Sequence, residues 1–514
     1  MYGPLTNARA FAFAARLIVF ACASSLGACG LLYGFDRYDT EVTALPEGSA
    51  ADGLEPPAAD FDLVVADSLR IEPGTSAPLV VSVVRHPGTA ERITVVVREP
   101  VPAGVELGLA ATIEPGASSA TLIVTVRRDA SATTQSLHLQ AVSASETRTK
   151  DVALTARGAP CAPDRGFGLS ADGVVHVLLP SGDGALLQGL ALAASGDAVT
   201  FALRGSPLVK VFRVDATGTL EWSYGAVPDT VGISVDGARG VVLVARNALT
   251  RIAPDGGEDL SFGTMGNGVV VPSCSPISVT ADTSDTSVIC AFTGGSFTSS
   301  RFDGNGAETP GETIDFGPDL RAKLVVSRES PGGGHVACGG AGDSQSVHPA
   351  FARWLATGKR DEAFGIRGRV ALDAGGVARA CASDDAGIVA IQVDGPDLRL
   401  LAVSRTGVLD PTFGDAGFRT VELDSGAPIA SSKIAFDADA ILVVASQGAD
   451  GRASLLRYLR DGRLDATFGS GGECALGALG LANVGAVLVT TDHKLLVLTT
   501  GTGATDALLA RIWL

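Results

Sequence analysis

The chain has 514 residues, with 39 Lys and Arg against 56 Asp and Glu, giving a formal net charge of -17. Charged residues are 18% and hydrophobic residues 46% of the chain, which excludes intrinsic disorder despite 64 Gly. An acidic chain without a basic block excludes nucleic acid as a partner, and six His argue against a large imidazole metal centre.

The first element in chain order is an address. Arg9 and Arg16 supply positive charge, and residues 17–26 (LIVFACASSL) form an apolar run. That run falls short of the roughly 20 residues a spanning helix needs, so residues 1–28 read as a secretory signal. The run ends in Leu26-Gly27-Ala28-Cys29, which resembles the bacterial lipobox. The resemblance implies cleavage before Cys29, a diacylglyceryl group on its thiol and a further acyl chain, such as palmitate, on its amine. Two or three chains anchor a protein stably where one does not. The other reading is an ordinary signal cleaved elsewhere. Gly30 follows, where an Asp would resemble the inner-membrane retention signal of enterobacterial lipoproteins, so the resemblance implies the outer membrane. No other stretch is apolar for long enough to span. Residues 29–60, with Pro46, Pro56 and Pro57 among Asp, Glu, Gly and Ala, read as the lipidated Cys and a flexible tether.

Residues 61–158 carry short β-rich runs at 79–84, 93–97, 120–126, 136–142 and 152–156. Turn signals lie beside them at Pro73-Gly74, Pro87-Gly88, Pro102-Ala103-Gly104 and Pro115-Gly116. This spacing predicts a small β-sandwich. The stretch from Pro102 to Gly116 resembles immunoglobulin-like modules of bacterial envelope proteins, which implies a spacer or adhesion role.

Residues 161–514 repeat. One mark is an Asp followed by Phe-Gly: Asp259 with Phe262-Gly263, Asp361 with Phe364-Gly365, Asp410 with Phe413-Gly414 and Asp465 with Phe468-Gly469. Worn copies are Asp164 with Phe167-Gly168 and Asp315-Phe316-Gly317, and Tyr224-Gly225 reads as a third. The Phe series 262, 316, 364, 413 and 468 has gaps of 54, 48, 49 and 55 residues. The second mark is an Arg five residues before a Gly: Arg213/Gly218, Arg251/Gly256, Arg301/Gly306, Arg353/Gly358 and Arg457/Gly462. Gly407 belongs to the series with Ala402 in place of Arg, and Arg511 begins a copy that the chain end interrupts. The aromatic follows positions 213, 251, 353, 402 and 457 by eleven residues, and Arg301 by fifteen. Two marks in phase over seven registers define a repeat.

The segments Leu409-Asp410-Pro411-Thr412-Phe413-Gly414 and Leu464-Asp465-Ala466-Thr467-Phe468-Gly469 resemble the "delta-60" repeat of bacterial secreted and envelope proteins. The resemblance covers the C-terminal two-thirds and implies β-propeller-like blades without an agreed catalytic activity. Each unit reads as four short strands; in the sixth these are 432–436, 440–445, 453–459 and 467–476. The predicted fold is therefore all-β, a seven-bladed β-propeller over 161–514 preceded by an immunoglobulin-like β-sandwich over 61–158. Residues from 164 to about 180 should supply the outer strand of the last blade and lock the ring. Phe262, Phe316, Phe364, Phe413 and Phe468 should bury between blades. Arg251, Arg353 and Arg457 should pair with the turn Asp as structural residues, the alternative being a repeated ligand-binding ring.

Cys161, Cys274, Cys290, Cys338, Cys381 and Cys474 allow three disulfides in 15 connectivities. Blade phase suggests Cys274 with Cys290, Cys338 with Cys381, and Cys161 with Cys474. Dispersed Cys with few His partners give no zinc site. Asp303-Gly304-Asn305-Gly306 and Asp437-Ala438-Asp439 lack a full calcium loop and read as polar turns. His176, His335 and His493 fall on strands or their turns. No catalytic motif, metal or cofactor is implied. Two classes remain: a non-catalytic envelope lipoprotein, monomeric, binding an envelope protein or glycan through the propeller surface; or a propeller enzyme acting at the central pore on an envelope or extracellular substrate.

Overall fold

The computed structural model describes residues 61–514 apart from short internal stretches, the longest of them 179–185. Residues 1–60, with the expected signal, Cys29 and tether, lie outside the described residues. Every named element is a strand except one 3-10 turn, Leu476–Leu479. No helix among the described residues is long and apolar enough to cross a membrane.

The first two sheets share one core. One runs Phe61–Val65, Ser76–Arg85, Ser119–Val126 and Val105–Leu107 in spatial order; the other runs Ser68–Ile71, Thr147–Ala156, Thr134–Val142, Ile93–Val97 and Ala111–Ile113. Alternation places Leu79, Val81 and Val83 inside against Leu122, Val124, Leu137, Leu139 and Val152. The sequence runs located five of these nine strands. The missed ones are the three- to five-residue strands at the rims, too short to show a period.

The rest of the described chain forms six antiparallel sheets, five of strands consecutive in sequence and one of eight strands whose two halves, starting at Ile429 and Leu481, are joined by a single pair; with those halves taken separately there are seven strand groups, numbered below as the first to seventh sheets. Their first strands are Leu186–Leu192, Thr230–Asp236, Ser275–Ala281, Arg321–Ser330, Val377–Ser383, Ile429–Asp437 and Leu481–Val489. Each contains a register shift near its start. The extra residue there, two in Leu481–Val489, bends the strand and increases its twist. Each first strand lies against the first strand of the next sheet, and Leu481–Val489 lies against Leu186–Leu192. The sixth and seventh sheets also share a single pair, Arg452 with Ala482.

The seventh sheet takes strands from both chain ends. Lys494–Gly501 and Asp506–Trp513 continue from Leu481–Val489, and Val174–Leu178 completes the sheet by pairing antiparallel with Asp506–Trp513, His176 opposite Leu508. That is the strand expected from the phase of the repeat.

Seven separate apolar cores fill the spaces between successive sheets, each with an aromatic. Trp222 and Tyr224 serve between the first and second sheets, Phe262 between the second and third, and Phe316 between the third and fourth. Phe364, Phe413 and Phe468 continue the series, and Phe167 packs between the seventh sheet and the first.

One expectation is corrected. The fourth strand of the sixth sheet is Glu473–Ala475, not 467–476, and Arg369–Ala371 and Phe418–Thr420 are equally short. The aromatic and β-branched residues before Gly469 look strand-forming, but Asp465 caps a turn there and Gly469 sits at φ 55°, which ends the extended chain. A Cβ on Gly469 would lie 2.3 Å from the Glu473 carbonyl, so the turn requires glycine. In the first sheet Tyr224-Gly225 does lie within the fourth strand, Leu220–Pro228, unlike Phe468-Gly469. The third sheet uses its four extra residues to form an added strand. Glu308–Thr309 and Thr313–Asp315 both pair with Ser296–Phe302, which moves Phe316 from eleven to fifteen residues after Arg301.

Candidate functional site

The repeated residues converge on one constellation. Arg251 Nε lies 2.7 Å from Asp259 Oδ2, and its guanidinium stands 4.6 Å from the Phe262 ring centroid. Arg353 pairs with Asp361 at 3.3 Å and lies 5.9 Å from Phe364; Arg457 pairs with Asp465 at 3.4 Å and lies 5.4 Å from Phe468. The cation thus sits between a carboxylate and an aromatic face, with its ion pair largely out of water. In the first sheet Glu221 replaces the Asp and pairs with Arg213 at 2.6 Å. In the third, the position eight residues after Arg301 is Thr309, and it is Arg369 that lies 5.9 Å from Phe316.

The aspartate has a second task. Asp259 Oδ1 accepts from the Ser261 amide and hydroxyl, and Asp465 Oδ1 accepts from those of Thr467. Burial works to raise the Asp259 carboxyl, but the Ser261 bonds and Arg251 outweigh it and hold the group below its ordinary value. The Thr467 hydroxyl does the same for Asp465, against a smaller burial effect and with help from its amide and Arg457.

The two marks, read along one unit, meet between neighbouring units. The amide of Gly168 donates to Thr217 O, Gly263 to Asn305 O, Gly365 to Thr406 O and Gly414 to Asp461 O, at 2.8–2.9 Å. Each acceptor directly precedes the turn glycine of the next sheet: Gly218, Gly306, Gly407 and Gly462. These glycines have φ of 81–82°. The phase between the marks is therefore set by inter-sheet hydrogen bonding, which sequence spacing detects but cannot assign.

At the chain ends the constellation is split. Arg511 Nε lies 2.6 Å from Asp164 Oδ2, and its guanidinium is 4.5 Å from Phe167. Asp164 is fully buried and also pairs with Lys494 at 3.1 Å; Lys494 in turn pairs with Asp492 at 2.8 Å and lies 4.2 Å from the Trp513 ring. The Arg511 copy and the worn Asp164 copy make one unit.

Within that unit Cys161 holds the turn-glycine position, three residues before the Asp, as Gly462 precedes Asp465. It adopts φ 70°, in the left-handed region its counterparts use. Its sulfur is bonded to Cys474 in the outer strand of the sixth sheet, with the Cα atoms 5.5 Å apart. Cys338 in the fourth sheet is bonded to Cys381 in the fifth (Cα–Cα 6.4 Å), and Cys274 to Cys290 within the third (5.7 Å). The role of Cys161 as a stand-in for glycine was visible only after both chain ends were placed in one unit.

The other singled-out residues have structural partners. Asp303 Oδ1 accepts from the Asn305 and Ala307 amides at 2.9 Å, and Asp437 Oδ1 lies 2.6 Å from His493 Nδ1. The buried His335 meets Thr280 Oγ1 at 2.7 Å, and His176 lies 3.7 Å from Asp172. Among the described residues no group of three or more His, Cys, Asp or Glu is placed to hold a metal ion. No protein-family model and no curated protein matches the chain.

Proposed function

We propose that the chain is a bacterial envelope lipoprotein, attached through lipid on Cys29, whose seven sheets are the blades of a closed β-propeller carried on an immunoglobulin-like sandwich. Its role is non-catalytic binding or scaffolding, with the propeller surface as the contact face and an envelope protein or glycan as partner. The observation that carries the architecture is the Arg511–Asp164–Phe167 constellation, assembled from segments 347 residues apart, at the two ends of the region 161–514, with the geometry of its continuous sisters. The cyclic order of seven inter-sheet cores supports the same reading, as does the "delta-60" resemblance.

The anchor is tested by metabolic labelling with palmitate in a bacterial host. The wild type should carry label and fractionate with membranes, and Cys29→Ser should lose both. An unlabelled, soluble wild type overturns the lipoprotein reading. Cross-linking in intact envelopes, followed by mass spectrometry, should place partner cross-links on the seven sheets. Cross-links confined to residues 61–158 would overturn the contact-face assignment.

A further inference from the structure

The fifth sheet keeps the carboxylate of the constellation and has lost its guanidinium. Asp410 stands eight residues after Ala402 and three before Phe413, the spacing of Arg251, Asp259 and Phe262. Asp410 Oδ1 accepts from the Thr412 amide at 2.9 Å and hydroxyl at 2.7 Å, as in the sister turns. In those turns the other oxygen, Oδ2, lies 2.6–3.4 Å from the arginine Nε. Ala402 has no such group to offer. Here a cleft of about 410 Å³ opens, lined by Ala402, Asp410, Arg460, Asp384, Asp385 and Asp439.

The walls match what holds a guanidinium elsewhere in the chain. Arg353 Nη1 donates to the carbonyl of Arg405, and Arg511 Nη1 to that of Ala216, at 3.1 and 2.6 Å. Both acceptors lie two residues before the turn glycine of the next sheet. The corresponding residue here is Arg460, two before Gly462, and it lines the cleft. The Arg460 side chain does not replace the lost arginine. It pairs with Asp384, donates to Ala438 O and lies 4.1 Å from the Phe436 ring. The lining carries four carboxylates against this one cation.

We propose that this cleft binds a guanidinium group, as an arginine side chain or a small guanidinium compound, in the position that Arg251, Arg353, Arg457 and Arg511 fill in their own sheets. A planar fork of donors fits a carboxylate oxygen beside a backbone carbonyl better than an ammonium does. The proposal stands on the sister sites and the cleft, and depends on neither lipid anchoring nor ring closure.

The test titrates the purified chain with N-methylguanidinium and with a Gly-Arg-Gly peptide, against methylammonium and Gly-Lys-Gly, by calorimetry. The guanidinium probes should bind at least about tenfold more tightly than the ammonium ones, the discrimination expected from one charge-assisted hydrogen bond. Ala402→Arg, which installs the sister residue, should abolish saturable binding, and Asp410→Asn should weaken it about tenfold or more. Tighter binding of the peptide than of N-methylguanidinium assigns the source to a polypeptide; equal binding assigns it to a small compound. Absence of saturable binding, equal affinity for ammonium probes, or undiminished binding by a folded Ala402→Arg variant would overturn the proposal. The wild-type guanidinium-to-ammonium comparison decides the matter if either variant fails to fold.

Discussion

Asp164→Asn isolates what the split constellation contributes. The carboxylate is fully buried and pairs with Arg511 at 2.6 Å and Lys494 at 3.1 Å, while its Oδ1 accepts from the Gly166 amide at 3.0 Å. Asparagine can keep the amide bond but leaves both cations without their shared anion. Breaking a buried pair costs about 3–5 kcal/mol. Lys494 retains Asp492 at 2.8 Å, which sets the expectation near the lower figure. The cost should be local, because Val174–Leu178 is held in the seventh sheet by its pairing with Asp506–Trp513. Amide hydrogen exchange, read by mass spectrometry with the disulfides intact, should show protection of these two strands falling roughly a hundredfold, since each 1.4 kcal/mol is about tenfold. Exchange in the third and fourth sheets should stay unchanged. Unaltered protection at 174–178 would refute the reasoning, and an equal loss in every sheet would refute its locality.

The disulfides should rank by loop length. In the chain-entropy account the Cys161–Cys474 bond, spanning 313 residues, contributes about 5–6 kcal/mol, and Cys274–Cys290, spanning 16, about 3. Denaturant midpoints of the paired Cys→Ala variants should fall in that order, with Cys338–Cys381 (43 residues) between them. Phe364→Ala empties the core between the fourth and fifth sheets and should cost about 3–5 kcal/mol in urea denaturation, whereas Leu260→Ala, at an exposed position, should cost little. Acid should destabilise the chain through Asp259, Asp465 and Asp492, whose native pKa values all lie below the ordinary 3.8. The unfolded state binds their protons first, so their contribution is complete above about pH 4 and is lost as pH falls through the lowered native values. A pH-dependent urea series should show this slope, reduced in Asp259→Asn. Burial, with Glu258 beside Tyr224, lifts Tyr224 and Tyr458 to about 12, so Tyr224→Phe and Tyr458→Phe should each remove a phenolate transition well above pH 10.

The repeat was legible because each of its marks answers to a hard steric or electrostatic demand. A positive-φ turn admits glycine at Gly365, Gly414 and Gly469, and a buried guanidinium needs its carboxylate at Asp361 and Asp465. Such positions tolerate few substitutes and keep their spacing. Strand limits were less legible. Propensity extended the sixth unit's fourth strand through Thr467 and Phe468, where Asp465 caps a turn. The short rim strands of the first two sheets gave too few residues for a period to emerge.

What sequence spacing could not convey is which marks touch. Arg251 and Gly256 belong to one turn in sequence, but Gly263 bonds to the turn of the following sheet, and Arg353 reaches Arg405 O across the same kind of boundary. The constellation is thus a property of pairs of neighbouring sheets. This is why two of its departures carry the most information. Where residues 161–167 meet the C-terminal strands, Cys161 replaces the turn glycine and adds a covalent bond to Cys474 of the sixth sheet. Between the fifth and sixth sheets the arginine is missing while Asp410 and the Arg460 backbone remain, and the interface there opens into a cleft. Asp410, half-buried beside three further aspartates, keeps its turn bonds to Thr412 while its own unit offers no arginine, and that is the position a guanidinium from outside would fill.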